Sequence, residues 1–215
     1  MNSPGESELE LELQQHEVDK TLHWFDVSRR GFFKALGGGL VVCLGAKNLV
    51  SQESGRGMRG EHELPKEISA WLHISENGDI TVYTGKVEMG QNIRTSLAQQ
   101  VAEELRVPFD SISMVMGDTT LTPWDMGTFG SRTTPTMGPQ LRNVAITARE
   151  TLIAMAAERW KTEPSLLAAR DGRVMDSAGH QSISYGELTR GHQLVKLVSD
   201  PAFTPADKWT IAGTP

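Results

Sequence analysis

The chain has a single cysteine, Cys43, among 215 residues. That excludes an internal disulfide framework, a cysteine zinc site and an iron–sulfur cluster held by this chain alone. Histidine patterning is missing too. His16, His23, His62, His73, His180 and His192 form no H-x-H or H-E-x-x-H pair, so surface or strand-face positions account for them and no metal ligand is assigned. Positive charge is in deficit. A formal net charge of −6 removes any general attraction to nucleic acid or anionic lipid. The uninterrupted apolar run Ala35 to Ala46, ALGGGLVVCLGA, would span about 18 Å as a helix, against about 30 Å of bilayer hydrocarbon. An ordinary membrane span is therefore excluded.

What is present suits one or two globular domains, with 38% hydrophobic and 22% charged residues. Residues 1–27 are polar and acidic and read as a tail without a sustained period. Ser28-Arg29-Arg30-Gly31-Phe32-Phe33-Lys34 precedes the apolar run. A paired arginine, then phenylalanines, then a short glycine-rich apolar run looks like a twin-arginine export signal, with Arg29 and Arg30 as its determinants. A short buried helix is the alternative, and Gly37 to Gly39 count against it because glycine disfavours helix interiors. The expected destination is the periplasm, with membrane association and cleavage of the signal left open; the small residues near Ala46 would suit a cleavage site. The expected organisation is residues 1–46 as tail and signal, 47–67 as linker, 68–198 as a folded domain and 199–215 as a proline-rich lead-in to a further domain.

Within the domain, Trp71–Ser75 and Ile80–Thr84 are strand-like and flank Asn77-Gly78, a strong hairpin signal. Ile93, Leu97, Val101 and Leu105 recur at helical spacing, with Arg94, Gln99, Gln100 and Glu103 mostly on the other side. Ile112–Met116 reads as a third strand. Residues 117–137 show no period, and an irregular stretch of that length in a compact domain is usually functional. A second helix is expected after Gly138, ending near Trp160. Two short strands, at Asp171–Val174 and Gln181–Ser184, and a short helix from Tyr185 follow. The expected fold class is α+β: a small mixed sheet of about five strands on two main helices, near 92–106 and 138–160. Two loops rich in glycine and hydroxyl residues each lead into a helix start, where unpaired N–H groups favour an anion. The pair reads as a cradle for a large phosphorylated cofactor.

Glu88-Met89-Gly90-Gln91, taken with Thr128-Phe129-Gly130-Ser131-Arg132-Thr133-Thr134, resembles the molybdopterin-binding large subunit of the xanthine dehydrogenase/aldehyde oxidase family, in particular its exported isoquinoline 1-oxidoreductase beta-subunit branch. The resemblance covers roughly residues 68–215. It implies a partial molybdopterin-binding domain and a molybdenum cofactor in its molybdopterin cytosine dinucleotide form. It also implies hydroxylation of an aldehyde or an N-heterocycle with oxygen from water. On that reading Gly90 and Gln91 contact the pterin, and Thr128, Phe129, Gly130, Ser131 and Thr133 meet the pterin and phosphate region. Arg132 is either a phosphate ligand or a surface arginine. Glu88 fixes the loop. The implied partners are a small 2Fe–2S subunit, a c-type cytochrome and the remaining part of the large subunit.

The sequence departs from the family in two places. Where relatives continue E-M-G-Q-G, this chain has Asn92, a residue that tolerates left-handed backbone. The chain is also several times shorter than family large subunits and lacks the G-E-x-P segment that carries the catalytic base. Gly60-Glu61 and Gly186-Glu187 do not replace it, so no catalytic residue is assigned. Two readings follow. The chain is the N-terminal part of an exported molybdenum hydroxylase, a fragment that need not bind the cofactor alone, or it is a truncated, inactive relic or assembly module. A generic exported binding domain with a coincidental motif is a third reading.

Overall fold

The Asn77-Gly78 turn folds as the sequence predicts. Gly78 takes a φ of 90°, and Ser75 and Asp79 close the hairpin through Ser75 N–H to Asp79 O at 2.9 Å. In this computed structural model the described residues are 38–45, 68–119, 121–122, 125–197 and 202–214. All fall in the contact unit Phe33–Pro215; the unit Met1–Phe32, with Arg29 and Arg30, lies outside the described residues, as does the whole of the expected 47–67 linker.

Eight strands are present among the described residues: β1 (Gly39–Gly45), β2 (Ile68–Ser75), β3 (Ile80–Thr84), β4 (Ile112–Met116), β5 (Leu167–Arg170), β6 (Arg173–Asp176), β7 (Ser182–Ser184) and β8 (Gln193–Leu197). They form two sheets, β4-β3-β2-β1-β8 and β5-β6-β7. The helices are α1 (Ile93–Leu105), α2 (Thr133–Trp160) and α3 (Tyr185–Thr189). β3 and β4 are parallel neighbours, so α1 is the crossover between them, as parallel strands require. α2 packs along α1 and reaches β1 and β2. The core gathers Leu40, Leu72 and Val82 from the sheet, Leu97 and Val101 from α1, and Leu141, Val144 and Leu152 from α2. Each such side chain contributes about 1.5–3 kcal/mol by leaving water.

The α+β class and the two main helices are as expected, and four details differ. The five expected strands do not share one sheet. Those near 171 and 182 form the separate β5-β6-β7 sheet. The apolar run read as part of an export signal contributes β1, paired antiparallel with β2 and parallel with β8. The domain therefore begins before residue 68, and cleavage after Ala46 would remove β1. A short continuous apolar run fits a buried strand as well as a signal core, and periodicity cannot separate the two. The second helix starts at Thr133, five residues earlier than expected. Pro135 lies in its first turn, where a missing N–H is tolerated, and the helix continues through Pro139.

The fourth difference is burial. Gln100, Glu103 and Glu104 on α1 are buried: Gln100 lies against Gly138 of α2, and residues 202–214 fold back over Glu103 and Glu104. Glu103 accepts the N–H groups of Thr210 and Ile211 at 2.8 and 2.6 Å. Glu104 accepts Arg142 Nη2 at 2.6 Å and Thr204 Oγ1 at 2.6 Å. The Arg142 guanidinium lies over the rings of Phe203 and Trp209, 4.4 and 5.0 Å from their centroids. The expected lead-in segment is thus a strap held by two carboxylates.

Candidate functional site

Both motif loops leave the C-terminal ends of the adjacent parallel strands β3 and β4. They therefore emerge at the same end of the sheet, where open α/β sheets usually place ligands. In the first loop Gly90 takes a φ of 97°, and a Cβ there would meet nothing within 4 Å. Its glycine answers a backbone requirement and leaves the space beside it open. Asn92 takes a φ of 61°, so asparagine does adopt the left-handed backbone here. Gln91 folds onto its own loop, with Oε1 accepting Met89 N–H at 2.6 Å and Nε2 donating to Val87 O at 2.9 Å. One amide hydrogen and one lone pair of the carboxamide remain for a ligand edge.

The two helix starts are not equivalent. Glu88 accepts the N–H groups of Gly90, Asn92 and Arg94 at 2.6, 3.2 and 2.9 Å. Its carboxyl is held below the usual carboxylate range, chiefly by the Arg94 N–H and then by its neighbours. An anion from the chain already fills the start of α1. The expectation that both helix starts offer an anion site is therefore corrected for the first loop. α2 has no acidic residue in its first turn and no side-chain cap. Gly130 and Ser131 precede it at φ 62° and 55°. Ser131 is left-handed and Arg132 after it is right-handed, at φ −93° and ψ −10°, and that alternation turns backbone N–H groups toward one side, the geometry of an anion nest. Thr133 opens the helix and is buried, whereas Ser131 and Arg132 are exposed. The Phe129 ring is 61% exposed and stands at the rim with Met89 at 72% and Met126 at 74%.

The loops are tied together by Thr128 and by two charged residues that the sequence did not single out, Lys86 and Asp125. Lys86 Nζ lies 2.7 Å from Asp125 Oδ1 and donates to Gly127 O at 2.7 Å. Val87 N–H donates to Thr128 Oγ1 at 2.8 Å, which leaves the threonine hydroxyl hydrogen available to a ligand. No spacing signal joins a lysine to an aspartate 39 positions on; only the parallel β3–β4 pairing brings them together. Glu187 is spent on a capping box with Ser184, accepting its N–H and hydroxyl at 2.9 and 2.6 Å. Its role is structural, as expected.

A family model described as a molybdopterin cofactor-binding domain matches residues 16–214. The chain belongs to that family. This molybdopterin cofactor-binding domain is 40% identical over 150 residues to a nicotinate dehydrogenase subunit of Pseudomonas putida, covering 69% of the chain and 12% of the relative. It is 27% identical over 202 residues to the beta subunit of isoquinoline 1-oxidoreductase of Brevundimonas diminuta, covering 88% of the chain and 26% of the relative. The reconstituted CO dehydrogenase of Oligotropha carboxidovorans matches with a TM-score of 0.50 and 28% identity, over 54% of this chain and 15% of that one. Quinoline 2-oxidoreductase from Pseudomonas putida 86 shares the fold, with a TM-score of 0.51 at 21% identity over 85% of this chain and 22% of that one. The chain thus spans 12% to 26% of the length of these relatives. It is a partial domain of the molybdenum-binding xanthine dehydrogenase/aldehyde oxidase family, whose curated relatives carry subunit names.

The site of this molybdopterin cofactor-binding domain fits such a group. Its donors are backbone N–H groups, hydroxyls and one carboxamide. They suit a pterin edge and phosphate oxygens, and among the described residues no set of three or more His, Cys, Asp or Glu gathers to bind a metal directly.

Proposed function

We propose that this chain is the cofactor-binding N-terminal part of an exported molybdenum hydroxylase large subunit that oxidises an aldehyde or an N-heterocycle with oxygen from water. The carrying observation is the asymmetry of the helix starts: Glu88 occupies the start of α1, while the start of α2, with no capping side chain and no acidic residue, leaves the Thr133 and Thr134 N–H groups for an outside anion. The N–H groups and hydroxyls of Ser131 and Thr133 take the phosphates, with Arg132 beside them as a charge-assisted donor. Gly90 lets the backbone approach the pterin, and Gln91 orients it. Thr128 donates its hydroxyl, and Phe129 shields that edge from water. When bound, the molybdenum cofactor supplies the hydroxylation chemistry and takes up the substrate's electron pair. The cytosine dinucleotide form is the proposed one.

The remaining part of the large subunit supplies the catalytic base and the substrate pocket. Electrons leave through a small 2Fe–2S subunit and then a c-type cytochrome, because this chain has one cysteine and no cluster ligands of its own. Arg29 and Arg30 direct export to the periplasm, by a route that accepts folded, loaded protein. The test is to purify the chain with its co-expressed partner subunits, then measure molybdenum by mass spectrometry and the nucleotide released by acid. About one molybdenum and one cytidine monophosphate per chain is the expected result, for a one-site group. Neither in the purified complex would leave the inactive-relic reading in its place. Guanosine monophosphate would overturn the cytosine form alone.

A further inference from the structure

Lys86 and Asp125 have no part in the cofactor contacts assigned above, yet they hold the two cofactor loops together. Lys86 stands just past the end of β3, and Asp125 lies in the irregular stretch after β4. Their side chains are 11% and 10% exposed, and the ammonium lies 2.7 Å from the carboxylate. The same ammonium reaches Gly127 O at 2.7 Å, and Asp125 Oδ1 also accepts Gly127 N–H at 2.8 Å. One residue further along the first loop, Val87 N–H reaches the Thr128 hydroxyl at 2.8 Å. Three bonds thus cross between the loops, and they land on the residues just before Gly130 and Ser131.

A buried ion pair is poor evidence for stability, because desolvation offsets the attraction and an apolar pair of similar size often serves as well. Distance and direction are what it supplies. We propose that Lys86 and Asp125 form a positioning pair that fixes the separation between the Gly90–Gln91 loop and the Thr128–Ser131 loop. The pterin end and the phosphate end of one cofactor then meet their contacts together, with no loop ordering left to be done on binding. The inference rests on the function proposed above.

The test uses the full complex carrying Lys86→Met with Asp125→Leu, which removes both charges and orphans neither. Two readouts apply. In cofactor-free protein, hydrogen exchange at the Val87 and Gly127 amides should accelerate at least about tenfold, while Leu97 and Val101 in α1 stay protected. In loaded protein, molybdenum and released nucleotide per chain should fall about 10- to 100-fold, the usual range for residues that support a metal site from outside its ligand set. Lys86→Arg, which keeps the cation, should retain most of the occupancy. Unchanged occupancy and unchanged exchange in the double variant would overturn the positioning role. So would loss of the whole unfolding transition in both variants, since the pair would then be a fold determinant. Wild-type complex without cofactor would overturn the proposed function and this role with it, whereas a loaded wild type with a loaded double variant overturns only the pair.

Discussion

Glu104 has no contact with water, yet it carries a carboxylate on α1. Arg142 reaches it with Nε and Nη2 at 2.9 and 2.6 Å, Thr204 donates its N–H at 3.1 Å, and Arg149 stands 3.7 Å away. Replacing Glu104 by Gln leaves two arginines facing a neutral amide in a buried site. That should destabilise the chain by about 3–5 kcal/mol, the range for breaking a buried pair, read from the urea midpoint at constant slope. At this scale the candidate site was legible wherever chemistry is local. Gly90 and Asn92 advertise left-handed backbone, and Glu88 two residues before Gly90 advertises a loop-closing carboxylate. Lys86, Asp125 and the buried Glu103–Glu104 pair were not legible. Apart from Arg106, three positions from Glu103, their partners arrive from 38 to 109 residues away, and a charged residue on a helix carries no mark of what will cover it.

Among the elements, α3 sits so close to the β2–β3 turn that a Cβ on Gly186 would lie 2.6 Å from Gly78 N and 2.8 Å from Asn77 C. Backbone cannot swing aside as a side chain can. Gly186→Ala should therefore cost about 1–3 kcal/mol, as overpacking does, even though alanine is the better helix former. Thermal unfolding of the variant decides it. β1 makes a stronger demand. Leu40 and Val42 are fully buried, and the strand is hydrogen-bonded on both sides. A chain beginning at residue 47 should unfold at lower temperature than one beginning at residue 38, by more than the Gly186 variant loses. Equal midpoints would mean that the sheet does not depend on this strand. The hairpin, both main helices and β4 were readable because their periods are unambiguous. β1 and the split into two sheets were not, since a short apolar run fits several elements and sheet membership is settled by pairing at long range.

Over the whole molecule, two carboxylates fasten the strap 202–214 across the helices. Burial, the largest influence on Glu103, pushes its carboxyl up; the N–H groups of Ile211, Thr210 and Ala212 and the nearby Arg106 outweigh it and hold the group below 4.5. A carboxyl lowered in the folded state stabilises fully above its unfolded value and loses that contribution as pH falls through the folded one. The strap should therefore be firm at neutral pH and loosen below about pH 4.5. The amide resonances of Ile211 and Ala212 should shift together over that range, and constancy down to pH 3 would contradict it. The apolar rim of Met89, Met126 and Phe129 predicts a second bulk property. The isolated chain should bind a dye for exposed apolar surface and lose that binding once the partner subunits proposed above are added.

The parallel pairing of β1 with β8 also sets a clock. Leu40 faces Leu194, so 154 residues of synthesis separate the two halves of that ladder. At typical elongation rates the interval is roughly 8–30 s. For that long a nascent chain presents β1 without its second neighbour. Once Leu197 emerges, the sheet can withdraw the run. Slowing the ribosome between codons 45 and 193 would then lengthen the time in which that edge of the sheet stays unpaired, and speeding it would shorten that time.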